Sequence, residues 1–585
     1  MLHRSRSLVV AAAAAAPAWA AIGVAFAVAG VAVAIAVTVA AAGVATSPAV
    51  AATARAAADS VPARYRDGRE LVAELKRLAH ENPRVELREI GSSAGGQKLR
   101  LIEIAPHPAA AEDDGVRGPA ALVVGDPLGT SPLAIEAAVR LARHAAVADA
   151  ATPAARVRWY VLPAANPDAA DRHHRRPLHL DGRNRQPVDS DADGLVDEDG
   201  PDDLDGDDAI TTLLREEPGG AWLLAGDPPL PRRADAAAGE TGRYARELEG
   251  IDDDGDGRWN EDPRGGVVMG RNFPPGYDHD CEVGGPWPGF APETRALLEF
   301  AHEHPEIAIV MVLGESTNLP ADPDRGCALG LHRDDIAWWR AIAAERGRLL
   351  ARAGLAGPRL DSPGPLPGSV EDWAYQRLGV PAVAVDLWSL PLPLPASVDT
   401  GTSAAERVAL QAFARAHPQL DVVRPWTEVT LPGGARGLAG GAVPYVLRTP
   451  PAAWADSLLE PQLPFLLDLP GWLPRLEIPE LTAERRAGGA YAITARLVNG
   501  GRLPYPTAQG ARMRRPAPVA VTLEGAEVIE GHSRQLVREL PAGGAELVVW
   551  VVHGRPDDRV TVRAEAPGLG RRESTVVLPR EKPRR

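Results

Sequence analysis

The run Ala120-Ala121-Leu122-Val123-Val124, the break Gly125-Asp126-Pro127-Leu128-Gly129-Thr130-Ser131-Pro132 and the amphipathic residues 133–144 together decide the fold class of this chain. Consecutive apolar residues read as a strand buried on both faces, Gly and Pro close it, and the residues after Pro132 return to helical spacing. The same alternation extends both ways. Residues 65–79 carry Leu71, Val72, Leu75 and Leu78 at helical spacing, and 85–87, 99–104 and 159–162 read as strands. Residues 294–302, 338–353 and 370–377 read as helices, with strands at 307–313 and 383–387. Strand and helix in alternation predict an α/β sheet with helices on both faces.

At 585 residues the chain exceeds one compact domain. From 433 to 479 it turns Pro-rich and loses period, as a linker or wrapped strap would. Residues 490–498, 519–523, 546–552 and 559–564 then alternate apolar and polar between Gly/Pro turns, which predicts a β-sandwich over 480–580. At the other end, Arg4 and Arg6 precede residues 7–54, which carry no charge, and residues 21–42 are apolar enough to span a bilayer. Ala49-Val50-Ala51 reads as a small-residue cleavage site. Residues 1–55 are therefore a cleaved export signal or an uncleaved membrane anchor. Either reading puts the remainder outside the cytoplasm, touching membrane only through this segment. A net charge of −15 argues against nucleic acid and against anionic lipid as partners.

Much of that charge sits in a repeat. Asp189-x-Asp191-x-Asp193-Gly194-x-x-Asp197-Glu198-Asp199 recurs as Asp252-x-Asp254-x-Asp256-Gly257-x-x-Asn260-Glu261-Asp262, and a third acidic turn runs from Asp203 to Asp207. Oxygen ligands at every second position, with Gly after the third, let a tight loop wrap a hard cation. The expected ligands are Asp189, Asp191, Asp193 and Asp197 in one copy, and Asp252, Asp254, Asp256 and Asn260 in the other, with Ca²⁺ as the ion. Gly200 and Pro263 stand where an EF-hand has its last glutamate, so these are not EF-hands. A solvated acidic loop is the bland alternative.

Five further blocks, in order, carry a resemblance. Ile90-Gly91-Ser92-Ser93, Asn166-Pro167-Asp168, Gly270-Arg271-Asn272-Phe273-Pro274, Pro292-Glu293-Thr294-Arg295 and Asp372-Trp373-Ala374-Tyr375 with Gly379-Val380-Pro381 resemble the carboxypeptidase-A-like zinc metallopeptidases over residues 62–395. The resemblance implies a carboxypeptidase-like mixed sheet flanked by helices over 60–432, ahead of the C-terminal β-sandwich. It also implies a zinc site built from His-x-x-Glu and a later His, a glutamate base, and arginines that clamp a substrate carboxylate.

This chain departs from that set. Leu128 and Ser131 stand where the first His and the Glu belong, Gly314 where the third His belongs, and Asp386 where the glutamate base belongs. No tyrosine lies in 360–369, where the family has one. Leucine offers no donor and serine is a poor zinc ligand, so Zn²⁺ is expected to be absent and catalysis lost. The substrate-binding block keeps Arg271 and Asn272, and Arg183 or Arg185 matches a second substrate arginine. The expected partner is a peptide or cell-envelope ligand with a free carboxylate. The alternative is an active hydrolase with a rearranged site, in which Asp126, Glu315 and Asp386 gather around a hard ion. His173-His174 read as a basic surface loop, and His302 with His304 as an exposed helix end. Cys281 and Cys327, in an exported chain, are expected to form a disulfide.

Overall fold

The structure is a computed structural model that describes residues 64–109, 117–190, 193–319, 327–393 and 403–580. The expected export segment and Asp191 lie outside the described residues. Among the described residues no helix is long and apolar enough to cross a membrane.

Asp67 starts the first helix. Its carboxylate accepts from the amides of Arg69 and Glu70 while Glu70 reaches back to the Asp67 amide, a capping box that launches α1 (Gly68–Glu81). The chain continues through β1 (Val85–Ser92), β2 (Lys98–Ile104), β3 (Ala120–Gly125), α2 (Pro132–Ala146) and β4 (Arg158–Leu162). An insertion carries β5 (Thr212–Glu216), β6 (Trp222–Ala225), β7 (Leu230–Arg233) and β8 (Tyr244–Leu248). Then come α3 (Pro292–Glu303), β9 (Ile307–Gly314), α4 (Ile336–Arg352), β10 (Ala382–Asp386), α5 (Ser403–Ala416), β11 (Val423–Thr430) and β12 (Arg436–Ala442).

The main sheet runs β1-β2-β4-β3-β9-β10. Its β1–β2 and β2–β4 pairs are antiparallel and the other three pairs are parallel, so the sheet is mixed, as the resemblance implies. β3 and β9 lie inside it with nearly every side chain buried, which is why they read as continuous apolar runs. Their ends fall level: Gly125 pairs with Leu313, and Gly314 with Asp386. Ligands in such sheets bind beyond the carboxyl ends of the strands, and here that edge carries Asp126, Glu315 and Asp386.

Two features differ from expectation. A second sheet, ordered β11-β12-β5-β8-β6-β7, joins the insertion to residues 423–442. Residues 433–479 are not a linker either. They supply β12 and then short helices whose Leu459, Leu463, Phe465, Leu466, Leu469 and Trp472 enter the same core as α2 and the main sheet. Prolines hid this because they interrupt the period without removing the apolar side chains.

The C-terminal domain packs two four-stranded sheets. One contains β13 (Leu476–Arg485), β14 (Ala490–Asn499), β16 (Glu527–Glu530) and β18 (Ala545–His553). The other contains β15 (Val519–Glu524), β17 (Arg534–Val537), β19 (Arg559–Ala566) and β20 (Gly570–Val577). The alternating inner residues, among them Ile493, Val521, Trp550 and Val562, form its separate core. A short helix, Ala508–Met513, docks this domain on the first: its leading amides, Ala508 at 2.9 Å and Gln509 at 3.0 Å, donate to fully buried Asp335.

Candidate ligand cleft and acidic loops

The turn after β3 is shaped by Asp126, which adopts a left-handed φ of 50°. Its Oδ1 accepts from the amides of Thr130 (3.0 Å) and Ser131 (2.9 Å), and its Oδ2 is buried without a partner. Burial pushes the Asp126 carboxyl up to about 6. Glu315 follows the last residue of β9. Burial, and next the charge of Asp126, push it up to about 7 against the hydrogen bond of Thr130 and the charge of Arg448. The ends of β3 and β9 thus carry two carboxyls that hold protons near neutrality.

Leu128 leans on the turn that carries Arg271. The Gly270 amide donates to the Pro127 carbonyl at 3.0 Å, and a Cβ at Gly270 would stand 2.9 Å from Leu128 Cδ2. Around Gly314 the space that a Cβ would enter is open. Ser131 is buried and opens α2.

Asp386 does not join the other two acids. Its Oδ1 meets Arg346 Nη2 at 2.8 Å, and its Oδ2 meets Arg359 Nη2 at 2.6 Å and the hydroxyl of Ser362. Burial opposes its charge, but Arg346, then Arg359 and Ser362, outweigh it and hold the carboxyl below its usual range. The expected gathering of three acids is therefore corrected to a pair, because two arginines capture the third.

The arginines divide as well. Arg271 spends its Nε on the Pro367 carbonyl at 3.1 Å, and no ion pair holds it among the described residues. Arg183 pairs with Asp181 at 3.4 Å and Arg185 with Asp171 at 3.3 Å, so both are already answered by acids. Asn272 is fully buried, with Nδ2 donating to the carbonyls of Gly284 and Trp287 and Oδ1 accepting from the Ala291 amide. It holds the loop before α3, and both of its amide hydrogens are spent there. Sequence reasoning missed Tyr445 and Arg448. Tyr445 is buried, donates to the His179 carbonyl at 2.9 Å, and lies near enough to Asp126 and Glu315 to feel their charges. Both residues sit in the stretch read as linker, where no pattern marks them.

His173 is not on a basic surface loop. It sits edge-on between Tyr65 and Tyr445, and burial pushes it down to about 4. His302 is exposed, but His304 is buried beside Tyr160 and Glu306. Cys281 and Cys327 are both free thiols, so the expected disulfide is not formed. Cys327 is buried against Gln376, and burial followed by the charge of Asp372 pushes it up to about 12.

The two Asp-rich copies pair with each other. Asp199 and Asp262 form an isolated antiparallel bridge, and each serves the opposite loop. Asp262 accepts from the amides of Ser190 and Asp197, while Asp199 accepts from those of Asp253 and Asn260. Carboxylate oxygens of Asp252, Asp254 and Asp256 lie within 4.8 Å of one another, as do those of Asp203, Asp205 and buried Glu249. Asp189 and Asp193 cap backbone amides of their own loop. Asp197 accepts from the Gly265 amide and Asn260 donates through Nδ2 to the Leu248 carbonyl, while Asn260 Oδ1, the atom that would face a cation, is buried with no hydrogen-bond partner among the described residues. Glu198 and Glu261, not expected as participants, are pushed up to about 7 by desolvation and by the opposite copy's Asp262 and Asp199.

Residues 71–202 match the zinc carboxypeptidase family, and residues 475–577 match a domain of unknown function (DUF8731). Among solved structures, the chain is similar to thrombin activatable fibrinolysis inhibitor, at 12% identity over 71% of this chain and 75% of that one, with a TM-score of 0.38. The carboxypeptidase A from Helicoverpa armigera is 15% identical over 62% of this chain and 75% of that one, with a TM-score of 0.35. A metallo-carboxypeptidase from Burkholderia cenocepacia is 12% identical over 60% and 70%, with a TM-score of 0.27. No curated protein matches the chain.

Proposed function

On the premise that residues 71–202 belong to the zinc carboxypeptidase family, we propose that this is an exported, non-catalytic member that binds a carboxylate-bearing ligand, such as a peptide C-terminus, in the former cleft. The observation that carries this reading is the contrast between Arg271 and Asp386. The acid at the base position is locked by Arg346 and Arg359, while the arginine of the substrate block has no acid partner among the described residues. A guanidinium held at Nε keeps its Nη edge for a carboxylate.

The residues at the metal positions do not fit zinc. Leu128 and Gly314 bring no donor atom in their side chains, and Ser131 is a weak one. We derive no step through that ion. A second reading, hydrolysis with a hard ion, draws support only from Asp126 and Glu315, two carboxyls without the third that was expected. Calcium belongs in our proposal at the twin loops, as a structural ion, on the clustering of Asp252, Asp254 and Asp256. Export rests on residues 1–55 and is tested by fractionation of cells carrying the full chain.

Calorimetry with a short peptide acid, its C-terminal amide and the Arg271→Ala protein tests the binding reading. Amidation and the substitution should each weaken binding roughly tenfold or more, and the two losses should not add, because they remove one contact. Equal affinity for acid and amide would mean the cleft does not grip a carboxylate. Elemental analysis tests the other half: zinc near one equivalent, with turnover, would overturn the non-catalytic reading.

A further inference from the structure

The two domains meet along a groove of about 300 Å³ that shares no lining residue with the cleft or the acidic loops. The first domain contributes Pro119 and the turn Pro153–Arg156, the strap contributes 470–475, and the sandwich contributes Gly500, Gly501 and the start of β20. Three arginines line it, Arg156, Arg475 and Arg572, and no Asp, Glu or His does. In a chain with net charge −15, a groove of prolines, glycines and apolar residues whose charged lining residues, among those described, are all arginines calls for an explanation.

The wall is built to hold these arginines. Asn499, 1% exposed, accepts from the amides of Arg475 (3.1 Å) and Gly501 (2.9 Å), and its Nδ2 donates to the carbonyls of Leu503 and Leu540. A Cβ at Gly500 would stand 2.6 Å from Glu477 Oε1 and 2.9 Å from Arg475 Nη2, so the absence of a side chain there lets this ion pair lie against the turn. Glu477 takes Arg475 Nε at 2.7 Å beside Gly500, so an incoming anion meets Arg475 on its Nη side and shares its charge with Glu477. Arg572 is half-buried, with Nη1 on the Arg571 carbonyl. Arg156 is exposed and, among the described residues, reaches the Ala151 carbonyl alone. Prolines 119, 153, 470 and 474 stiffen the rim, so little freedom remains to be lost on binding.

We propose that this groove binds a phosphate-type oxyanion, held by Arg156, Arg475 and Arg572. Three guanidinium groups from different walls suit a tetrahedral polyanion, which accepts from every side, better than a planar carboxylate. Such a ligand touches both domains and therefore stabilises the docked pair.

The test uses the full chain with inorganic pyrophosphate, in melts and calorimetry at ionic strength matched with sodium chloride. Pyrophosphate should raise the melting temperature saturably. Arg475→Ala should weaken binding roughly tenfold, and Arg156→Glu, at an exposed position that folding does not need, should abolish it. Vesicles of phosphatidylglycerol, against phosphatidylcholine, identify the source: binding that depends on Arg156 assigns the groove to a lipid headgroup, and pyrophosphate binding alone assigns it to a free phosphate. A shift no larger than chloride produces, with no vesicle binding, would overturn the proposal. So would affinities unchanged by both substitutions.

Discussion

Carboxylates crowd the cleft and the twin loops alike, yet the two regions neutralise them by different means. In the cleft, Asp386 is met by fixed arginines, while Asp126 and Glu315 keep protons near neutrality. In the loops the carboxylates accept from backbone amides, and the aspartate each copy lends to the other, Asp199 or Asp262, is itself buried. The difference teaches that the backbone around a carboxylate decides its partner. Where converging amides reach it, as at buried Asp199 and Asp262, no cation is needed, and where they do not, a fixed arginine or a proton takes their place.

The sharpest way to break this contrast is to remove the buried acid. Asp386→Ala leaves Arg346 and Arg359 with uncompensated buried charge and should cost about 3–5 kcal/mol in urea unfolding. A loss below about 1 kcal/mol would mean solvent already serves those arginines.

The loops should respond to an ion instead. At calcium roughly a hundredfold above Kd, an ion that binds only the folded chain adds about 2.7 kcal/mol, enough for a shift of several degrees between calcium and chelator. Asp254→Ala with Asp193→Ala should remove the shift. Identical melts in calcium and chelator would leave the loops as solvated acid.

A smaller effect separates the proton from the arginine. The folded carboxyls of Asp126 and Glu315, near about 6 and about 7, lie above their unfolded range of about 4, so the folded state holds protons longer and stability falls as pH rises through that window. Asp126→Asn with Glu315→Gln should therefore be more stable than the parent at pH 8, by on the order of 2 kcal/mol. The advantage should vanish near pH 4, and parallel pH curves for parent and variant would remove the proton from the cleft. Least of all, Gly270→Ala should cost about 1 kcal/mol by crowding Leu128, with the cost relieved when Leu128→Ala is added.

What could be read in the sequence follows from the range of the forces involved. β3, β9 and α2 were legible because an apolar run or apolar residues at helical spacing announce themselves within a dozen residues, although α2 proves buried nearly all round rather than along one stripe. The insertion's sheet was not, since its strands are short and mix exposed with buried positions. Leu128, Ser131, Gly314 and Asp386 could be named from motif order alone, and so could the repeated Asp pattern. Their partners could not. Arg346 on α4 looks like any helix arginine, Arg359 like a loop residue, and Tyr445 like part of a linker, until the sheet brings the end of β10 and the strap together.

By itself, then, the sequence determined the strand and helix alternation, the two domains and the cleft residues that lie within its motif blocks, because these depend on neighbours along the chain. Only the tertiary structure decided which charges meet: that Asp386 is consumed, that Arg183 and Arg185 are answered, and that Arg271 is left without an acid partner among the described residues. Ion pairing depends on distance and burial, and neither is set until residues far apart in the chain are packed side by side.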